Sequence, residues 1–191
     1  VIEDFKGQLN ISYYKKKNTG PGDSRNYGMK LAKGNYFIIL DSDCILPEDY
    51  MQNVMDNLKS NYVDCFGGVD GSHESFSDYQ KAVSFSMTSF LTTGGIRGGN
   101  YKKKLFQPRS FNMGISREAF EKSNGFGNIH PGEDPDLSIR LNQLGFTTAL
   151  YSNVLVFHKR RVSIGSFFKQ VYKFGLVRPI LNHWHPKSFR L

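Results

Sequence analysis

The run Tyr36-Phe37-Ile38-Ile39-Leu40, followed at once by Asp41-Ser42-Asp43, constrains this chain more than any other stretch. Five consecutive apolar residues after the turn signal Lys33-Gly34-Asn35 predict a strand buried on both faces. Such strands belong to α/β sheets, whose ligands bind outside the carboxyl ends of the strands. The strand therefore delivers two carboxylates, one residue apart, to the edge where these folds do chemistry. Hard divalent cations take carboxylate oxygens, and magnesium commonly combines one or two carboxylates with substrate phosphates. Asp41 and Asp43 thus predict a metal–diphosphate site. The competing reading is an acidic turn that caps the next helix, which Pro47-Glu48-Asp49 would open.

Around that centre the chain divides by pattern. Leu9-Asn10-Ile11-Ser12-Tyr13-Tyr14 alternates as a strand, and Lys15 to Asp23 reads as a loop. A helix is expected from Ser24 to Lys33, capped by Asp23 or Ser24. Ser24, Gly28, Leu31 and Ala32 would form a small face that lets it lie close to a sheet. Arg25 and Asn26 fall in its first turn, where backbone N–H groups favour anions, with a solvated helix start as the equal alternative. Met51, Val54, Met55 and Leu58 recur at helical spacing, so residues 47–60 are expected to form an amphipathic helix. Val63 to Val69 reads as a second buried strand holding the pair Gly67-Gly68. Tyr79, Ala82, Val83, Met87 and Phe90 mark a helix packed in the core. Residues 92–104, rich in glycine with Arg97 and Lys102-Lys103-Lys104, read as a basic loop near the site or a plain solvated one.

Phe111 to Arg117 predicts a further strand and turn. His130-Pro131-Gly132-Glu133-Asp134-Pro135-Asp136 then crowds three acids at a helix start. From Asp136, Leu137, Arg140, Leu141 and Leu144 line one helix face, with Gly145 as C-cap. Dipole complementarity, about 0.3–1 kcal/mol per charge, explains one or two of the acids but not the Gly-Glu-Asp-Pro turn. Two short strands, Thr147 to Tyr151 and Val154 to Phe157, deliver His158 ahead of Lys159-Arg160-Arg161. Residues 163–191 carry a stripe of Ile164, Phe167, Phe168, Val171, Tyr172 and Gly175, with Lys169, Lys173 and Arg178 off it. That is a basic amphipathic helix, which either lies on a membrane surface or packs on the core.

A chain of 191 residues fits one domain, here 1–162, with 163–191 as a separate helical segment. The net charge of +8 points to an anionic partner: a nucleotide diphosphate, nucleic acid or anionic lipid. Specific nucleic-acid recognition is not expected, because charge is its only support. Cys44 and Cys65 make no disulfide framework and suit reduced thiols in a cytoplasmic setting. No run of ~18 apolar residues predicts a membrane span.

In order, Asp23-Ser24-Arg25-Asn26-Tyr27-Gly28, Gly34 to Asp43, Pro47, Asn112-Met113-Gly114-Ile115-Ser116-Arg117, Gly125-Phe126, Gly132 to Arg140 and His158 form a combined pattern. With it the chain resembles family 2 glycosyltransferases of the GT-A fold over about residues 9–162. The resemblance implies an α/β three-layer sandwich with a mostly parallel central sheet, lacking its first strand-helix-strand unit. It implies an inverting, metal-assisted transfer of sugar from a nucleotide-diphosphate sugar to a carbohydrate or lipid-linked acceptor, in polysaccharide synthesis. Asp41, Asp43 and His158 would hold Mn²⁺ or Mg²⁺. Asp134 would be the general base with Glu133 beside it, and Arg25, Asn26, Asp41 and Ser42 would lie at the nucleotide. Gln170-Val171-Tyr172-Lys173-Phe174 loosely echoes an element found in relatives with membrane-bound acceptors, which would set the protein at the inner face of a membrane. A metal-dependent nucleotidyltransferase and a non-catalytic nucleotide- or nucleic-acid-binding fragment are the alternatives.

Overall fold

Phe37 and Ile39 turn to one side of a sheet, and Tyr36 and Ile38 to the other. On that alternation three layers are built. The structure, a computed structural model, describes residues 3–5, 7–89, 91, 106–159 and 163–188. Its elements are α1 (Pro21–Leu31), β1 (Tyr36–Leu40), β2 (Cys44–Ile45), α2 (Tyr50–Ser60), β3 (Cys65–Gly71), α3 (Asp78–Thr88), β4 (Asn112–Ser116), α4 (Arg117–Ser123), α5 (Glu133–Gln143), β5 (Thr148–His158) and α6 (Ile164–Trp184). The sheet runs β1-β4-β3-β5-β2. On one side Met29, Ala119, Phe120, Leu137 and Leu141 from α1, α4 and α5 cover Phe37, Ile39, Cys65, Met113 and Ile115. On the other, Tyr50 and Val54 from α2 cover Phe66, Tyr151, Val154 and Val156. Burying a side chain such as Leu137 contributes about 1.5–3 kcal/mol.

The expected mostly parallel sheet is mixed. Only β3 and β5 pair parallel; the other three pairings are antiparallel. One of these comes from the short β2 at the far edge, and the other two from β4, which runs backwards between β1 and β3. It leaves β1, β3 and β5 pointing the same way, so their carboxyl ends still share one edge. The two short strands expected at 147–157 are one strand with a bulge opposite Gly68/Val69. Asn112, fully buried, fills that bulge. Its Nδ2 donates to the carbonyls of Val154 (2.9 Å) and Val69 (3.2 Å), and its Oδ1 accepts from the Tyr50 hydroxyl (2.8 Å). A Cβ on Gly68 would stand 2.1 Å from that Nδ2 and 2.2 Å from the Val154 carbonyl, so only glycine fits there.

Other expectations shift. Residues 10–20 form no strand. α1 starts at Pro21, three residues earlier than predicted, since proline suits the first helical position. Its buried face is Gly22 and Met29, and Ser24, Gly28, Leu31 and Ala32 are exposed. α2 starts at Tyr50 and turns Tyr50 and Val54 inward, leaving Met51 and Met55 exposed. Leu144 is likewise exposed. The glycine-rich stretch 92–104 and Phe90 lie outside the described residues.

α6 crosses the edge where the strands end. Only Val177 and Leu181 of it are buried. Val177 seats against Gly132, whose φ of +122° caps α5 and where a Cβ would come within 2.5 Å of the valine Cγ1. His185, just past the helix, places Nε2 2.8 Å from Asp136 Oδ1, while Arg140 binds Asp136 Oδ2 at 2.7 Å. The helix is thus fastened by its C-terminal half. The predicted stripe does not pack on the core: Ile164 and Phe168 are 74% and 70% exposed, and Val171 and Tyr172 are exposed with them. No described helix is long and apolar enough to cross a membrane.

Candidate active site

Because β1, β3 and β5 run the same way, Asp41, Asp70 and His158 come to one edge of the sheet from three strand ends. A cleft of ≈ 660 Å³ opens there, lined by Arg25, Asp41, Ser42, Asp43, Arg109 and Asp134 among others, with His158 at its rim. α6 supplies the opposite wall through Gln170, Phe174, Val177 and Arg178.

The acidic turn is built by backbone. The N–H of Cys44 donates to the Asp41 carbonyl (3.2 Å), and the N–H of Lys159 donates to the Asp43 carbonyl (3.0 Å). These bonds dock the turn onto the end of β5. His158 Nε2 consequently lies 3.3 Å from Asp43 Oδ1. The histidine ring stacks on Phe111 at 5.2 Å between centroids, and its Nδ1 lies 4.0 Å from the fully buried carboxylate of Asp70. Cys44 completes the group: one donor atom from each of Asp43, Cys44 and His158 lies within 4.8 Å of the others. A carboxylate oxygen, a sulfur and a ring nitrogen at that spacing fit a divalent cation. Burial and the nearby charges of Asp43 and Asp41 push the Cys44 thiol up to about 12.

Arg25 joins this side of the cleft to the other. It binds Asp41 Oδ1 at 2.8 Å and reaches Glu133 Oε1 at 3.5 Å, with its guanidinium 5.5 Å from the Phe126 ring centre. Glu133 is buried and also lies 3.1 Å from His130 Nδ1. Its carboxylate is therefore engaged by two cationic or donor side chains. Asn26 is occupied elsewhere: its amide accepts from the Phe126 N–H (2.8 Å) and donates to the Phe126 carbonyl (2.9 Å). The residue expected at the nucleotide clamps a loop.

Asp134 stands at the start of α5. Its Oδ2 accepts the Ser110 N–H at 3.2 Å. Its Oδ1 is shut off from solvent and has no hydrogen-bond partner among the described residues. Burial pushes its carboxyl above the usual range; Arg109 and Arg25 oppose the push and Glu133 adds to it. A carboxylate at a cleft wall with a raised pKa is suited to take a proton.

The structure thus gathers Arg25, Asp41, Ser42, Asp43, Glu133, Asp134 and His158 about one cleft and leaves Asn26 outside its lining. Asp70, Arg109, Ser110 and Cys44 join the site without having been singled out for it. Cys44 had one visible signal, its place next to Asp43. The others had none, since strand pairing and the segment leading into β4 bring them in.

A family model described as "Glycosyl transferase family 2" matches residues 1–123. The poly(ribitol-phosphate) beta-N-acetylglucosaminyltransferase TarP of Staphylococcus aureus is 30% identical over 83 residues, 44% of this chain and 25% of its own length. Among solved structures, S. aureus TarS 1-349 in complex with UDP-GlcNAc superposes with a TM-score of 0.57 at 16% identity, over 85% of this chain and 46% of that one. The mannosyltransferase PcManGT from Pyrobaculum calidifontis, in complex with GDP-Man and Mn2+, gives 0.55 at 14%, over 81% and 41%. At these identities the likeness speaks to the fold, which is that of GT-A proteins. The chain spans less than half the length of each of these relatives.

Proposed function

The chain belongs to glycosyl transferase family 2, and from that premise we propose that its cleft transfers a sugar, with inversion, from a nucleotide-diphosphate sugar to an acceptor hydroxyl. The observation that carries this reading is the pairing of His158 Nε2 with Asp43 at 3.3 Å, in the same cleft as the half-buried Asp134. Asp41, Asp43 and His158 would hold Mn²⁺ or Mg²⁺. Such an ion would supply positive charge to the departing diphosphate. Arg25 orients Asp41 through its 2.8 Å ion pair and adds positive charge where the diphosphate would lie. Asp134, whose carboxylate lines the cleft, takes the proton of the acceptor hydroxyl. Glu133 holds Arg25 in place. The wall formed by α6, with Gln170, Phe174 and Arg178, faces the acceptor side.

The name of TarP supports a polymer acceptor rich in phosphate and polyol. Arg109 and Arg178 in the cleft, with the net charge of +8, are consistent with one. Calorimetry with Mn²⁺ and UDP tests the central claim. Wild-type protein should bind the ion more tightly in the nucleotide's presence, and Asp43→Ala should lose that gain. Equal affinity in the two proteins would refute the reading.

A further inference from the structure

Cys44 stands directly opposite His158 in the antiparallel β2–β5 ladder. Opposed residues of such a pair send their side chains to the same face of the sheet, with Cβ atoms about 4.5–5.5 Å apart. The nearness of this sulfur and this imidazole is therefore a consequence of backbone register, not of one rotamer. Asp43, adjacent in sequence, adds its carboxylate 3.3 Å from Nε2. Among the described residues this is the one group of three metal-ligating side chains with donors within 4.8 Å of each other. Donors bound tetrahedrally to zinc at about 2.0–2.3 Å stand roughly 3.3–3.8 Å apart. Asp43 is exposed and can close the difference by turning its side chain. The histidine ring stacks on Phe111, and the Asp70 carboxylate lies 4.0 Å from its far nitrogen. A carboxylate that closed this distance to a hydrogen bond would orient the imidazole for a metal.

We propose that Asp43, Cys44 and His158 form a zinc-type site, three protein ligands with an open fourth position, at the rim of the cleft. The ligand class is a borderline-soft divalent cation. Cys44 sets the preference. An all-oxygen set suits magnesium and manganese, whereas sulfur with imidazole suits zinc, which also outranks manganese at a shared N/O/S site. On ligation the Cys44 sulfur gives its lone pair to the ion, and its proton passes to solvent. Asp43 and His158 are also proposed to hold the donor's cation, so zinc and that cation exclude each other. This last consequence rests on the transferase reading; the zinc site does not.

Cobalt(II) is the probe, because a thiolate ligand announces itself by a sulfur-to-cobalt charge-transfer band in the near ultraviolet. Titrating the full-length protein with cobalt should raise that band, and zinc should abolish it. Cys44→Ser should remove the band and weaken zinc binding by about tenfold or more, read against a chromophoric chelator. Should Cys44→Ser fold poorly, alkylating the native protein removes the same donor, since Cys65 is fully buried and Cys44 is not. A cobalt complex without the band, or a variant that binds zinc as tightly as wild type, overturns the proposal. Manganese binding with UDP, measured beside it, tells the two readings apart: if it is absent while the cobalt band is present, the transferase reading fails and the zinc site stands.

Discussion

Asp134→Asn separates a catalytic base from a helix cap. The Asp134 Oδ2 accepts the Ser110 N–H at 3.2 Å, and the amide oxygen of asparagine can accept the same bond. The start of α5 should therefore survive, and so should donor binding. What goes is the capacity to take a proton. Loss of a general base costs about 10²–10⁴ in rate, or about 2.7–5.4 kcal/mol of barrier at 1.36 kcal/mol per decade. The assay is initial-rate release of the nucleoside diphosphate from the full-length protein, with and without acceptor, beside calorimetric donor binding. A second readout needs no turnover. Burial raises the folded-state pKa of Asp134. Its contribution to stability is then fully present below the unfolded value, about 3.9, and is lost as pH rises through the folded one. Asparagine carries no such loss. The variant should gain in Tm relative to wild type as pH climbs from about 4 towards neutral. Turnover within a few-fold of wild type, or a Tm difference that does not change with pH, would refute the assignment.

Two further changes test the scaffold. Asn112→Ala strands the Tyr50 hydroxyl and the Val69 and Val154 carbonyls in the core. Each unmatched buried group costs about 1–3 kcal/mol, so urea denaturation should show a loss of roughly 2–4 kcal/mol, and a loss below about 1 would contradict the bulge's dependence on this residue. His185→Ala leaves Asp136 with Arg140 alone and unfastens the C-terminal half of α6. Amide exchange over residues 177–188 should quicken, and unchanged protection there would show that Val177 and Leu181 hold the helix unaided.

The sequence by itself determined what depends on neighbours along the chain. An apolar run of five had to be a strand, so β1 and the two aspartates at its end were legible, as was packing on both of its faces, which holds for Tyr36 to Ile39 but not for the exposed Leu40. His158 at the end of an apolar strand was legible for the same reason, and so was the glycine that ends α5, where Gly145 has φ +84°. Tertiary structure alone decided what joins distant segments. Whether β4 runs with or against β1 depends on the path of a connection more than 70 residues long, by the numbering of Leu40 and Asn112. The register that sets Cys44 across from His158 is a matter of which backbone groups pair, and no side-chain period records it. The charge that Arg25 places on Asp41, and the Ser110 N–H given to Asp134, arise the same way. α6 shows the limit most directly. Its most regular apolar stripe points to solvent, while Val177 is buried because Gly132 leaves room for it and His185 finds Asp136. Periodicity tells a helix which face is apolar; only the surface it meets decides which face is covered.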